Sequence, residues 1–320
     1  MQAALSGLGW EQYLAMMFGG VGALLLPLSL VFWDRRQRRL RKESPPLKTK
    51  LLRPAGHTLA GRFDALWEGL VWQLGLACLA GAIIGAMALP TTSLFYHWAV
   101  GRFTFAEILQ PRAAGPILAC LLFLLGAGLL LFRQTLVLRT TLREARQYQA
   151  GLRGEQAVAE ALASPDVTRA GYVSFHDVPG DGDWNIDHIA VGPGGVVVLE
   201  TKARAKRRSI NHLKDHEVEF DGRILQFPWG YDDKVVAQVE RNAQWVRRFV
   251  DGFAPKDLPI LPVIVVPGWF VLTRGDFPVK AMNPRYLANS FIPKLKPRLT
   301  ADQLKGVIRR LDERCRTIEC

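Results

Sequence analysis

The chain has 320 residues, 49% of them hydrophobic, and a formal net charge of +12. That length allows more than one domain. Its four cysteines form no CxxC and no Cys/His spacing of a zinc site, which excludes a sequence-encoded zinc centre and suits a reducing compartment.

Three long apolar runs dominate the first 132 residues: Tyr13 to Trp33, Leu70 to Leu89, and Pro116 to Phe132. Each is about long enough to cross ~30 Å of hydrocarbon as a helix. Spans over about 13–33, 70–89 and 114–132 are therefore expected, with Trp10, Trp33, Trp72, Trp98 and Phe132 placed for interfacial belts. The first run lacks the basic n-region of a cleavable signal and is too long for one. No charge falls within the core of any run, which argues against an ion or proton pathway.

Between the first two runs lies DRRQRRLRKESPPLKTKLLRP, densely basic; between the second and third, the only charges are Arg102, Arg112 and Glu107. The positive-inside rule assigns the 34–66 loop to the cytoplasm. Three crossings then leave the N-terminus outside and everything after Phe132 inside, in keeping with Arg133, Arg139, Arg143 and Arg146. Part of the net charge thus answers to anionic lipid rather than to nucleic acid.

The expected organisation is a membrane anchor over 1–132, a linker helix over 133–147, a folded domain over 148–267 and a C-terminal extension with a terminal helix over 268–320. Gly151 and Gly154 precede a helix expected to start near Glu155, in whose first turn an anion complements the helix dipole. Pro165 closes that helical region. Gly171 to Val178 reads as a strand. Glu217 to Phe220 and Ile224 to Phe227 form a hairpin turned at Asp221-Gly222. Asp233 to Phe253 is an amphipathic helix, Ile260 to Val266 a buried strand, and Thr300 with Gln303 caps a terminal helix. This order predicts an α/β domain with a mixed sheet flanked by helices.

The segment Asn185 to Lys202, NIDHIAVGPGGVVVLETK, reads as two strands around a four-residue Gly192-Pro193-Gly194-Gly195 turn. Pairing Val191 with Val196 pairs Ile189 with Val198 and Asp187 with Glu200, all on one face. Opposed Cβ atoms lie roughly 5 Å apart. Two carboxylates at that distance repel by roughly 3 kcal/mol at an effective dielectric near 20, so a proton or a divalent cation is expected between them. Lys202 shares the face of Glu200. His188 points to the other face and reads as a core histidine. His212 and His216, four apart, lie in an irregular segment that disfavours a metal pair.

GLRGEQAVAEAL followed by NIDHIAVGPGGVVVLETK resembles the nuclease-related domain (NERD) family. That family is similar to the PD-(D/E)XK nucleases and implies a restriction-endonuclease-like core preceded here by three membrane helices. By this resemblance Asp187, Glu200 and the backbone carbonyl of Thr201 would bind Mg²⁺ or Mn²⁺. Lys202 would be the catalytic lysine, Glu155 the acid of the first helix, and Gln238 the glutamine after the core strands. Asn242 replaces the aromatic seen four residues on in some relatives. The basic run Arg204, Lys206, Arg207 and Arg208 is expected to hold a nucleic-acid backbone beside the metal, with Trp229 and Tyr231 available for stacking. The expected activity is metal-dependent phosphodiester hydrolysis, with DNA favoured over RNA. The alternative is an inactive nucleic-acid or protein-binding module held at the membrane.

Overall fold

The computed structural model describes residues 51–73, 75–76, 111–252 and 254–318. The apolar run 13–33 and most of the run 70–89 lie outside these residues. Among the described residues no helix is long and apolar enough to cross a membrane, so the span expected over 114–132 finds no support there. The chain divides into two compact units, Met1–Ser44 with Ala65–Ala145, and Pro45–Asp64 with Arg146–Cys320. In the first, residues 65–73, 75–76 and 111–145 are helical.

The second unit begins upstream of the expected domain. Strand β1 (Leu51–Leu52) is followed by helix α1 (57–73). Helix α2 (Pro111–Leu162) runs without a break through the residues read as a linker. The helix expected to start near Glu155 is therefore the last part of α2, and Glu155 is not in a first turn. Gly151 and Gly154 are not helix-starting punctuation. A Cβ on Gly154 would lie 2.5 Å from Ala203 Cβ, and one on Gly151 3.2 Å from Leu59 Cδ1. These glycines let α2 approach other parts of the chain closely, the second function of a residue without Cβ. Pro165 stops the helix, because its ring has no N–H and disfavours helical backbone before it; a short helix α3 (Pro165–Arg169) restarts there.

Strands β2 (Val173–Pro179), β3 (Asn185–Gly192) and β4 (Gly195–Thr201) form an antiparallel meander. The chain then builds β5 (Glu217–Phe220), β6 (Leu225–Phe227) and β7 (Gly230–Asp232) before helix α4 (Val235–Phe249). Strand β8 (Ile260–Val265) returns parallel to β4. After β9 (Phe270–Thr273), strand β10 (Lys280–Met282) adds parallel to β8. Helix α5 (Ala301–Cys315) has the Thr300/Gln303 capping box read from the sequence. Strand β11 (Arg316–Ile318) pairs with β1.

The main sheet has the order β10-β8-β4-β3-β2, and a second sheet has the order β7-β6-β5-β9. The mixed sheet is thus as expected, and the hairpin at Asp221-Gly222 pairs Phe220 with Leu225. One face of the main sheet packs Ile189, Val191, Val196 and Val198 against Trp245 and Val246 of α4 and Val307 and Leu311 of α5. The other packs Ala190, Val197 and Leu199 against Val158 and Leu162 of α2. Strand β4 is covered on both sides, which is why Val196 to Leu199 is continuously apolar.

Candidate active site

The β3–β4 ladder matches the counted register as far as His188 with Leu199. Gly192 pairs with Gly195, so the turn is the two residues Pro193-Gly194, nested within the four expected. The ladder stops before Asp187 and Glu200, which are not a paired rung. There the Asp187 carboxylate instead accepts the Thr201 backbone N–H at 2.6 Å. The pairing with the parallel partner β8 continues two residues further, through Glu200 with Ile264 and Thr201 with Val265, and the Lys202 N–H donates to Val265 O at 2.9 Å. The apolar sheet face therefore ends in polar groups where its edge opens.

Lys202 is the hub of this opening. Its Nζ donates to Glu200 Oε1 at 2.8 Å and to Gln238 Oε1 at 2.9 Å. Gln238 comes from α4, one helical turn before Asn242. Asn242 is buried and its Nδ2 donates to Glu200 Oε2 at 3.3 Å. Sequence reasoning missed Asn242 as a site residue, although its i, i+4 spacing from Gln238 places both on one helix face. Burial pushes the Glu200 carboxyl upward, opposed by Lys202 and by the charge of Arg241.

Glu155 enters from α2, on the other side of the sheet. It is buried, and its Oε2 has no hydrogen-bond partner among the described residues. Burial, then the charges of Asp177 and Glu200, push its carboxyl up to about 7, against a hydrogen-bonding backbone group at Gly56. Asp187 is raised well above the usual carboxylate range, first by desolvation and then by Glu200 and Glu155. The fold thus brings Glu155, Asp187, Glu200, Lys202 and Gln238 together, the set read from the sequence.

All of the acids' donor atoms are oxygens, which suits Mg²⁺ or Mn²⁺ rather than zinc. Among the described residues no group of three or more His, Cys, Asp or Glu is arranged to hold a metal. Mg²⁺ commonly takes only one or two protein carboxylates, with water and phosphate completing its shell. Asp187 and Glu200 supply two such carboxylates; burial is the largest cause of the rise in all three carboxyls, with the charge of Glu200 adding to the rise of Glu155 and Asp187. The buried Asn242 Oδ1 and Thr201 Oγ1 likewise lack partners among the described residues.

Residues 203–214 form no regular element, as expected, and Arg204, Lys206, Arg207 and Arg208 are all exposed. Arg204 pairs with Asp232 at 3.0 Å, and its carbonyl accepts the Trp269 indole N–H at 3.1 Å. Lys206 lies 5.8 Å over the Trp269 ring and Arg207 6.0 Å over Trp229. Trp229 stacks on Phe227, whereas Tyr231 is 67% exposed. His188 is a fully buried core residue, its Nδ1 2.8 Å from that of His176. His212 pairs with Glu219 at 3.1 Å.

Neither the curated proteins nor the solved structures contain a match to this chain. The family models give one: residues 150–267 match the nuclease-related domain, over the segment that runs from the last turns of α2 through β8. The chain therefore carries a nuclease-related domain, and every residue gathered in the opening lies within it.

Proposed function

We propose that this domain is a metal-dependent nuclease that hydrolyses phosphodiester bonds in DNA. The observation that carries the reading is Lys202 Nζ, held between Glu200 and Gln238 where the β3–β4 ladder ends beside Asp187. Two acids and a lysine so fixed are the parts that in-line phosphoryl displacement needs.

Asp187, Glu200 and the Thr201 carbonyl would hold Mg²⁺ or Mn²⁺, which when bound supplies charge neutralisation at a phosphoryl oxygen and activation of water. The Lys202 ammonium, with two oxygen acceptors fixing its direction, presents a cation to the developing phosphoryl charge. Glu155, poised at about 7, accepts a proton from the attacking water near neutral pH. Gln238 and Asn242 keep Lys202 and Glu200 in place. Arg204, Lys206, Arg207 and Arg208 follow directly in the chain and offer phosphate contacts.

We also propose that the domain is tethered at the inner face of a membrane, its N-terminus outside. Support for the tether comes from the sequence alone: three uncharged runs and the Lys/Arg asymmetry of their loops. Retention in the membrane fraction after alkaline extraction is the expected result, and release into the supernatant would overturn it.

The nuclease reading is tested with the whole chain in detergent, on circular single- and double-stranded DNA, with and without Mg²⁺. Cleavage that needs the ion and disappears in Lys202→Ala supports it. DNA binding without cleavage, unchanged in Glu200→Ala, would instead establish a non-catalytic binding module.

A further inference from the structure

We infer that residues 51–58 are a built part of the active site: Arg53 and Thr58 position Asp177 behind the catalytic acids, while Gly56 seats the helical turn that carries Glu155. These residues lie far upstream of the family match at 150–267, between two of the apolar runs. By charge alone they belong to a basic cytoplasmic loop.

The geometry starts at Asp177. It is fully buried and takes a φ of 49°, a left-handed backbone uncommon outside glycine. The β2–β3 ladder pairs His176 with His188 and Val178 with Ile186, and omits the position between them. That missing rung would have set Asp177 against Asp187. The Asp177 carboxylate is held by three donors: Arg53 Nη1 at 3.0 Å, Thr58 Oγ1 at 2.8 Å and Asn185 Nδ2 at 2.5 Å. Two of the three come from the upstream strap. A buried carboxylate stripped of its partners is strongly unfavourable, so the strained backbone and the strap support one another.

The strap is itself anchored. Leu51 and Leu52 pair with β11, the Arg53 N–H donates to Cys315 O at 3.3 Å, and Arg53 Nε donates to Thr317 Oγ1 at 2.6 Å. Gly56 has a φ of 72°, and a Cβ there would fall 2.3 Å from Leu152 Cδ1 and 3.7 Å from Glu155 Oε2. The strap backbone thus lies directly against the turn of α2 that delivers Glu155. The Asp177 charge also acts on Glu155. Arg53, Thr58 and Asp177 are positioning residues, since none lies among the groups that face substrate.

The kinetic half of this inference rests on the nuclease reading; the structural half does not. The test uses the whole chain in detergent, comparing the parent with Arg53→Ala/Thr58→Val, Arg53→Lys and Gly56→Ala. Amide hydrogen exchange should rise at least tenfold over 152–158 and 185–188 in the double variant, while the β5–β6 hairpin stays protected. kcat should fall tenfold or more with KM within twofold, Arg53→Lys should recover most of it, and Gly56→Ala should also lose kcat. Faster exchange confined to 51–60, or kcat within twofold of the parent in all variants, would overturn the inference. If the parent does not cut DNA, the nuclease reading falls and the exchange pattern alone decides. If the double variant does not fold, Arg53→Lys and Gly56→Ala decide the matter by the same criteria.

Discussion

Glu200 and Glu155 are both buried glutamates that reach one opening from opposite sides of the main sheet, yet their surroundings differ. Glu200 is met on both oxygens, by Lys202 at 2.8 Å and by Asn242 at 3.3 Å. Glu155 keeps one oxygen without a partner among the described residues, and its carboxyl is pushed up to about 7. Donors favour the charged form of a buried carboxylate, and a carboxylate with fewer donors is pushed further toward its protonated form. The strand-side glutamate is thus fixed by donors on both oxygens, whereas the helix-side glutamate keeps an oxygen free of them among the described residues.

The contrast breaks most sharply at Lys202. Lys202→Ala should lower cleavage at saturating DNA by a factor on the order of 10² to 10³, the scale of losing one preorganised stabilising group. It leaves Glu200 buried without its cation, so its activity loss is to be read beside thermal unfolding. Full activity in this variant would remove the lysine from the chemistry.

A second break is in pH dependence without metal. Below about 4.5 Glu155 is protonated in the folded and unfolded chain alike, and its full contribution to stability is present. Between about 4.5 and 7 the unfolded chain releases the proton while the folded chain keeps it, so stability falls. The fall reaches roughly 3 kcal/mol for a shift of this size, and levels off above about 7. Glu155→Gln should therefore be more stable than the parent at pH 8, equally stable near pH 4.5, and unable to cleave. Asp187 and Glu200 titrate in both proteins, so the difference between the two unfolding curves is the quantity that counts. Equal curves at both pH values would show that Glu155 carries no raised pKa.

Packing on the helix side can be broken separately. Gly154→Ala places a methyl group 2.5 Å from Ala203 Cβ, and overpacking of this kind costs about 1–3 kcal/mol. Chemical denaturation should show that loss, and activity should fall with it as α2 shifts away from β4. Asn242→Ala should cost about 1.5–3 kcal/mol, the worth of one hydrogen bond to a carboxylate of the strand side. It should also weaken Mn²⁺ stabilisation of thermal unfolding, which in the parent grows with ion concentration by mass action. The smallest effect belongs to the exposed run: Arg207→Ala should lower the salt slope of DNA binding by about one, with cleavage otherwise retained.

Much of the strand side was legible in the sequence. NIDH, the glycine turn and ETK follow the period-two pattern, and the turn placed Val191 with Val196 as found. Lys202, Glu200 and Gln238 met as the resemblance implied. The helix side was less so. Gly-x-x-Gly before Glu155 reads as a helix start by local rules, but here it answers a contact with Ala203 and with Leu59, which no local pattern contains. Asn242 stands out in the sequence only for the aromatic it replaces, and the hydrogen bond it makes to Glu200 depends on how α4 docks.

By itself the sequence determined the alternation of strands and helices, the Thr300 cap, the β3–β4 hairpin and the acids and lysine it carries. These rest on side-chain periodicity and turn chemistry, which act over a few residues. Tertiary structure alone decided that the ladder ends before Asp187 and Glu200, that the Glu155 carboxyl is pushed up to about 7, and that Arg53 and Thr58 reach Asp177. Those outcomes depend on desolvation and on donors brought together from distant parts of the chain. Burial and long-range pairing come into being only when the elements pack, so no window of neighbouring residues encodes them.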